Sequence, residues 1–230
     1  MNNILKEKPS EDIIHRLGYC ASFVQDQDVK EKKILDIGCG FGWFEINAVK
    51  RGVKEIVGVE ASEADLQTAR KSIKQNNVHF QVADAIDLPF ENESFDTVVS
   101  WDVIEHIPRE NESRMFSEAR RVLKKDGVFY LSTPYKHIVS VIFDPGWWLI
   151  KHRHYNCKDL VFHAEKNNFK LDGFSTKGCW WEVFGIWDFY ISKWIFRRKI
   201  FFQKFLNRKI NREFENEKGF VNLFVRFIAI

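Results

Sequence analysis

The run Ile34-Leu35-Asp36-Ile37-Gly38-Cys39-Gly40-Phe41-Gly42 constrains this chain most, because an apolar, strand-like segment ends there in three glycines at alternate positions. Glycine takes up positive φ without steric cost, so such a loop can turn sharply from strand to helix and leave its backbone open to a ligand. A helical segment and a second apolar run, Val57-Gly58-Val59-Glu60, come next. Glu60 lies eighteen residues after Gly42, at the carboxyl end of that run, where an open α/β sheet offers a carboxylate to the two hydroxyls of a ribose. A nucleoside is expected there.

The residues around the loop bear on which nucleoside. A nicotinamide fingerprint wants a third glycine where Trp43 stands, and a phosphate-holding Walker loop wants a lysine that nothing after Gly42 supplies. Asp36 would repel a pyrophosphate and attract a cofactor that carries an ammonium and a sulfonium. S-adenosylmethionine has both groups.

The stretch Ile34 to Gly42 resembles the first motif of class I S-adenosylmethionine-dependent methyltransferases, and further matches follow in order. Glu60 resembles the ribose-binding acid, Asp84-Ala85 the adenine-contacting pair, and Trp101-Asp102-Val103-Ile104-Glu105-His106-Ile107 the stretch after the fourth strand. The resemblance covers about residues 30 to 175 and is weakest between Tyr135 and Lys151 and from Gly178 to Lys218. It implies a Rossmann-like α/β fold: a seven-stranded, mostly parallel sheet with helices on both faces and the last strand antiparallel. It also implies that Asp36, Gly38, Cys39, Gly40, Glu60, Ala61, Asp84, Ala85 and Trp101 surround S-adenosylmethionine.

A length of 230 residues suits one domain, with 45% apolar and 29% charged residues in the ordinary globular range. Within it the pattern predicts an N-terminal helical cap over 1–30, a cofactor-binding core over 31–135, a lid-like segment over 136–156 and an aromatic, basic insertion over 178–218. Four cysteines lie far apart with no Cys-x-x-Cys pair, and the amino terminus has no apolar signal core, so a reducing cytoplasm is expected.

Ser10 is placed to cap a helix over 10–24, with Ile13, Leu17, Cys20 and Val24 on one side. In related methyltransferases an N-terminal helix closes over the ligands, which makes Tyr19 a candidate substrate contact. Ser62 is placed to cap a third helix, and Phe95 to Trp101 reads as a buried parallel strand. Just beyond that strand Asp102, Glu105 and His106 crowd the edge where open α/β sheets bind ligands. His106, with a near-neutral reference pKa, suits a proton acceptor; Glu105 is a further candidate substrate contact. The alternative for His106 is a place in the loop or the pocket wall.

A helix over Glu110 to Lys124 and a turn at Lys125-Asp126-Gly127 lead into a strand from Val128 to Ser132, whose exit, Thr133-Pro134-Tyr135, makes Tyr135 a substrate candidate. His152-Arg153-His154-Tyr155 resembles an element found in one large branch of the family and precedes a helix that Asn156 is placed to cap. His152 and His154 are expected to orient substrate or fix the lid. The sequence places no third ligand beside them, so no metal is expected.

Six of the eight tryptophans lie between Trp147 and Trp194. From Trp180 to Phe196, 12 of 17 residues are apolar, while Glu182, Gly185, Asp188 and Ser192 recur every three or four positions, which predicts a helix with one wet face. A basic segment with interleaved aromatics, from Arg197 to Arg212, follows. Residues 180–212 are therefore expected to lie in a membrane interface, on the inner face of the membrane; packing on the sheet edge, the lid or a second subunit is the alternative. A net charge of only +3 argues against nucleic acid.

Function follows as methyl transfer from S-adenosylmethionine to a small-molecule acceptor, lipid-linked or quinone-like at the membrane surface. A soluble metabolite or glycan acceptor, a non-catalytic adenosine-binding partner subunit and an NAD-dependent oxidoreductase stand as alternatives.

Overall fold

The computed structural model describes residue 9, residues 13–196 and residues 203–230. Both the predicted Ser10 cap and the first part of the basic segment, 197–202, lie outside the described residues. Helix α1 (His15–Phe23) begins five residues later than the spacing suggested and has no side-chain cap. Then come β1 (Lys33–Ile37), α2 (Trp43–Lys50), β2 (Glu55–Glu60), α3 (Glu63–Ser72), β3 (Val78–Val82) and β4 (Phe95–Trp101). Ser62 caps α3 as expected, accepting from the Asp65 N–H at 3.4 Å.

Next are α4 (Glu112–Val122), β5 (Leu123–Pro134), α5 (Ile138–Phe143), α6 (Pro145–Ile150), α7 (Cys157–Lys166) and β6 (Phe169–Lys177). After β6 the chain forms α8 (Trp180–Tyr190), a π-helical turn (Ile191–Ile195), α9 (Gln203–Glu215) and β7 (Asn222–Ala229). Asn156 caps α7 in a reciprocal pair with Asp159. At the start of β5 the expected turn is instead a bulged strand: Leu123 already pairs with Phe95, the register slips before Thr97 pairs with Val128, and Asp126 takes φ +60°.

The seven strands form one sheet in the order β3-β2-β1-β4-β5-β7-β6, parallel except for β7, which runs antiparallel to both β5 and β6. Successive residues of a strand face opposite sides, and both sides are covered. Leu35, Val57, Val98 and Phe129 pack with Met115 and Phe116 of α4 and Leu160 of α7. Ile34, Ile56, Val99 and Tyr130 pack with Phe44 and Ala48 of α2. This alternation explains why the central strands read as continuous apolar runs. It also brings the carboxyl ends of β1, β2 and β4 to one edge, where chain reversal leaves a crevice.

The insertion departs from expectation in one respect. Glu182 is only 9% exposed and Ser192 0%, whereas Phe184 is 54% exposed and Trp180 46%. The polar stripe therefore lies on the inner face of α8, and Trp180, Phe184 and Trp187 face outward. Glu213 of α9 anchors this arrangement: its carboxylate accepts from the N–H groups of Cys179, Trp181 and Glu182 at 2.8–3.0 Å, which caps the helix from outside its own chain segment. Gly185 lets the two helices approach, since a Cβ there would stand 2.7 Å from Ile210 Cδ1. Among the described residues no helix is long and apolar enough to cross a membrane.

Candidate active site

The glycine loop is shaped by its backbone. Gly38, Gly40 and Gly42 have φ of +78°, +54° and +87°. A Cβ on Gly38 would meet Val103 Cγ2 at 2.3 Å, while one on Gly40 would meet nothing within 4 Å, so Gly40 faces open space. The Gly38 and Cys39 N–H groups both donate to the Val59 carbonyl, at 2.8 and 3.0 Å, tying the loop to β2. At the end of β2, Glu60 accepts from Gly40 N–H at 3.3 Å and from its neighbour Ala61 N–H at 2.9 Å. Each carboxylate oxygen keeps a lone pair for a hydroxyl.

Asp36 is 1% exposed, and its Oδ1 accepts no hydrogen bond among the described residues. Burial beside Glu45 and Glu60 pushes its carboxyl well above the ordinary carboxylate range. Glu45 of α2 is fully buried, and burial raises it to about 8. A Cβ on Gly58 would stand 2.4 Å from Glu45 Oε1, so the glycine in β2 makes room for this acid. An ammonium group at Asp36 would relieve both.

Asp36, Gly38, Cys39, Gly40 and Trp101 line one side of a cavity of about 530 Å3. Ile13, Arg16, Leu17 and Cys20 from the N-terminal segment form a second side. Glu105, His106 and His152 form a third, with Phe189 and Tyr190 of α8 completing it. Ala61, Asp84 and Ala85 sit outside this lining, at the ends of β2 and β3; Asp84 is exposed and accepts from Ile86 N–H at 3.1 Å.

Two substrate candidates lie elsewhere. Tyr19 packs against Phe224 (ring centroids 4.7 Å apart) and Phe214 in the seam between α1, α9 and β7. Its neighbour on the helix, Arg16, enters the cavity instead and pairs with Asp102. Tyr135 leaves β5 with its N–H bound to the Val221 carbonyl and its ring beside His137, away from the cavity. Helical rotation and strand direction explain both placements.

The His152-Arg153-His154-Tyr155 run acts as a brace. Arg153 donates to the carbonyls of Ile104 and Ile107, and to the Tyr155 hydroxyl at 2.9 Å; Tyr155 in turn donates to Glu112 at 2.7 Å. Arg153 thus clamps the turn Ile104–His106 that carries Glu105 and His106. His152 and His154 point the other way, their ring nitrogens 3.4 and 3.3 Å from Asp144 Oδ2. His154 is buried behind Asp144 and does not reach the cavity, whereas His152 does. Its Nε2 lies 3.3 Å from His106 Nε2. Surrounding protein atoms and His152 lower the pKa of His106, which favours its neutral form.

Sequence reading missed Arg16, Glu45 and Asp144. Each left a trace: Arg16 and Glu45 are charges within helix faces that turn inward, and Asp144 precedes the Pro145 that opens α6, accepting from Gly146 N–H at 2.8 Å.

Residues 34–127 match the family model described as a methyltransferase domain. The fold is shared with a Mesorhizobium loti protein titled S-adenosylmethionine dependent methyltransferase, which aligns with TM-score 0.64 and 18% identity over 92% of this chain and 96% of its own. The match to the methyltransferase-domain model stops at residue 127, whereas the likeness in fold extends over most of the chain. The chain is 29% identical over 121 residues to a ubiquinone biosynthesis O-methyltransferase of Pelagibacter ubique, spanning 51% of this chain and 48% of that one. It is 30% identical over 132 residues to a tocopherol O-methyltransferase of Arabidopsis thaliana, spanning 56% and 37%. The chain spans about half the length, or less, of the curated relatives it matches.

Proposed function

We propose that this chain transfers a methyl group from S-adenosylmethionine to a hydroxyl oxygen of an apolar small molecule drawn from a membrane surface. The observation that carries the reading is a cavity that joins the glycine loop and Asp36, whose Oδ1 has no partner among the described residues, to an apolar wall and a pair of histidines. When bound, S-adenosylmethionine supplies an electrophilic methyl.

The chain's own residues position and protect. Glu60 binds the ribose hydroxyls, Asp36 and Gly38 support the methionine end, Gly40 keeps the turn open, and Asp84-Ala85 and Ala61 border the adenine at the rim. Leu17, Trp101, Phe189 and Tyr190 exclude water and orient the acceptor, so that alignment supplies most of the rate. His106, neutral and at the cavity wall, takes the hydroxyl proton, with His152 held by Asp144 behind it. The names of the ubiquinone and tocopherol relatives support an oxygen acceptor on a lipid-like body.

Membrane contact falls to the lid and insertion. Ile138, Ile142, Trp148 and Leu149 of α5 and α6 are exposed, as are Phe184, Ile195 and Phe196. The two parts meet: the Trp187 indole donates to the Phe143 carbonyl at 2.8 Å, and Phe143 and Trp180 pack with centroids 5.6 Å apart. Lys209 lies over the Trp181 ring at 5.4 Å, beside this face. Outward aromatics with flanking cations suit the headgroup region of an anionic bilayer.

The test is incubation with methyl-labelled S-adenosylmethionine and host extract, followed by partition between organic solvent and water. Label in the organic phase, lost on Glu60→Ala, supports the reading. Water-soluble label moves the acceptor to a metabolite or glycan. Binding of S-adenosylhomocysteine without any label makes the chain a non-catalytic partner subunit.

A further inference from the structure

We infer that the cavity holds a divalent transition-metal cation on Glu105, His106 and His152, beside the cofactor site; the inference rests on the methyltransferase reading for its role and on geometry for its existence. One carboxylate oxygen and two ring nitrogens of these residues lie within 4.8 Å of one another. His152 Nε2 is 3.3 Å from His106 Nε2 and 4.0 Å from Glu105 Oε1. Ligand atoms held about 2.0–2.2 Å from one ion stand roughly 3–4 Å apart, so a sub-ångström closure completes the triangle.

Three further observations point to a cation rather than to a simple pair of histidines. Glu105 is 3% exposed; Thr133 Oγ1 donates to its Oε2 at 3.1 Å, but its Oε1, which faces the two imidazoles, accepts no hydrogen bond among the described residues. Asp144 faces Nδ1 of His152, which fixes the tautomer that leaves the Nε2 lone pair aimed into the cavity. Arg153 clamps the turn that carries Glu105 and His106, so the ligands arise from two segments locked together. Two imidazoles and one carboxylate suit Zn2+, Co2+, Fe2+ or Mn2+ more than Mg2+ or Ca2+, and they leave positions open on the cavity side. His154, the other histidine of the alternating pair, lies behind Asp144 and is no ligand.

The site would act on the acceptor. An alcohol or phenol oxygen entering an open position ionises on the cation and gives its proton to bulk water rather than to an imidazole. Its bond to the methyl carbon then forms as the carbon–sulfur bond breaks, with no change of oxidation state. His106 and His152 serve as ligands in that state.

The experiment uses untagged full chain, stripped with chelator and titrated with Co2+ alone, read by visible ligand-field absorption and by calorimetry. A single equivalent per chain is expected, with ligand-field bands that differ from those of aqueous Co2+. Affinity should fall at least about tenfold in His152→Ala and in Glu105→Gln, and by a similar factor in Asp144→Asn, which leaves all three ligands in place. S-adenosylhomocysteine binding, measured in the same variants, should persist and shows that they fold. No stoichiometric Co2+ binding, or binding unchanged in His152→Ala and Glu105→Gln, overturns the site while leaving cofactor binding to stand. Stoichiometric Co2+ binding in a chain that fails to bind S-adenosylhomocysteine keeps the site and removes its role in methyl transfer.

Discussion

The floor of the cavity and its roof are built on opposite plans. In the floor, backbone conformation does the work: three glycines at positive φ, two N–H groups tied to Val59, and a carboxylate at the end of β2. In the roof, side chains do it, and α8 turns its few polar groups inward to Arg16, Glu213 and Asn222 while Trp180, Phe184 and Trp187 face out. The difference teaches that a loop requiring positive φ declares its shape in its residue types. A helical stripe declares only that two faces differ, not which one is wet.

The strongest way to break the comparison is to give the floor a side chain. Gly38→Ala places a Cβ 2.3 Å from Val103 Cγ2 at φ +78°. We expect a cost of about 3 kcal/mol and a loss of roughly a hundredfold in S-adenosylhomocysteine affinity by calorimetry. Gly173→Ala in β6, where a Cβ would meet nothing within 4 Å, should change neither. Equal effects at both positions would mean that loop geometry is not what the floor depends on.

The roof is probed from outside by Phe184→Ser with Ile195→Ser. Both side chains are exposed, so the thermal midpoint should hold while flotation with anionic vesicles drops about tenfold or more. A lowered midpoint with unchanged flotation would reassign the outer face to packing against another chain.

From inside, Glu182→Gln tests the buried stripe through pH. Burial raises Glu182 to about 7 against an ordinary 4.5, with Arg16 acting in the opposite direction. A raised carboxyl pKa means that the folded state binds the proton more tightly. The carboxylate therefore costs stability as pH rises from 4.5 to 7, and the cost stays in full above that. We expect Glu182→Gln to gain up to about 2 kcal/mol at pH 8 and almost nothing at pH 4. A pH-independent difference would place Glu182 in contact with water.

Much of this arrangement was legible in the sequence. The bounds of β2 and β4 and the caps Ser62 and Asn156 followed from residue type and local spacing, which are short-range properties. The glycine loop was legible for the same reason. What was not legible depends on partners distant in sequence. Tyr19 and Arg16 lie three residues apart on one helix, and only the positions of Phe224 and Asp102 decide which of them enters the cavity. His152 and His154 look equivalent until the fold sets both against Asp144 and brings only His152 to the cavity. The metal-competent triangle needs a loop after β4 and a segment after α6 to meet, which neither segment announces alone.

The account stands on the floor binding an adenosine cofactor through Glu60, and calorimetric titration with S-adenosylhomocysteine tests this most directly. We predict saturable binding by the unaltered chain and a loss of about ten- to a hundredfold in Glu60→Ala, the cost of two hydrogen bonds to a charged acceptor. No binding by the unaltered chain, or binding indifferent to Glu60→Ala, would contradict it.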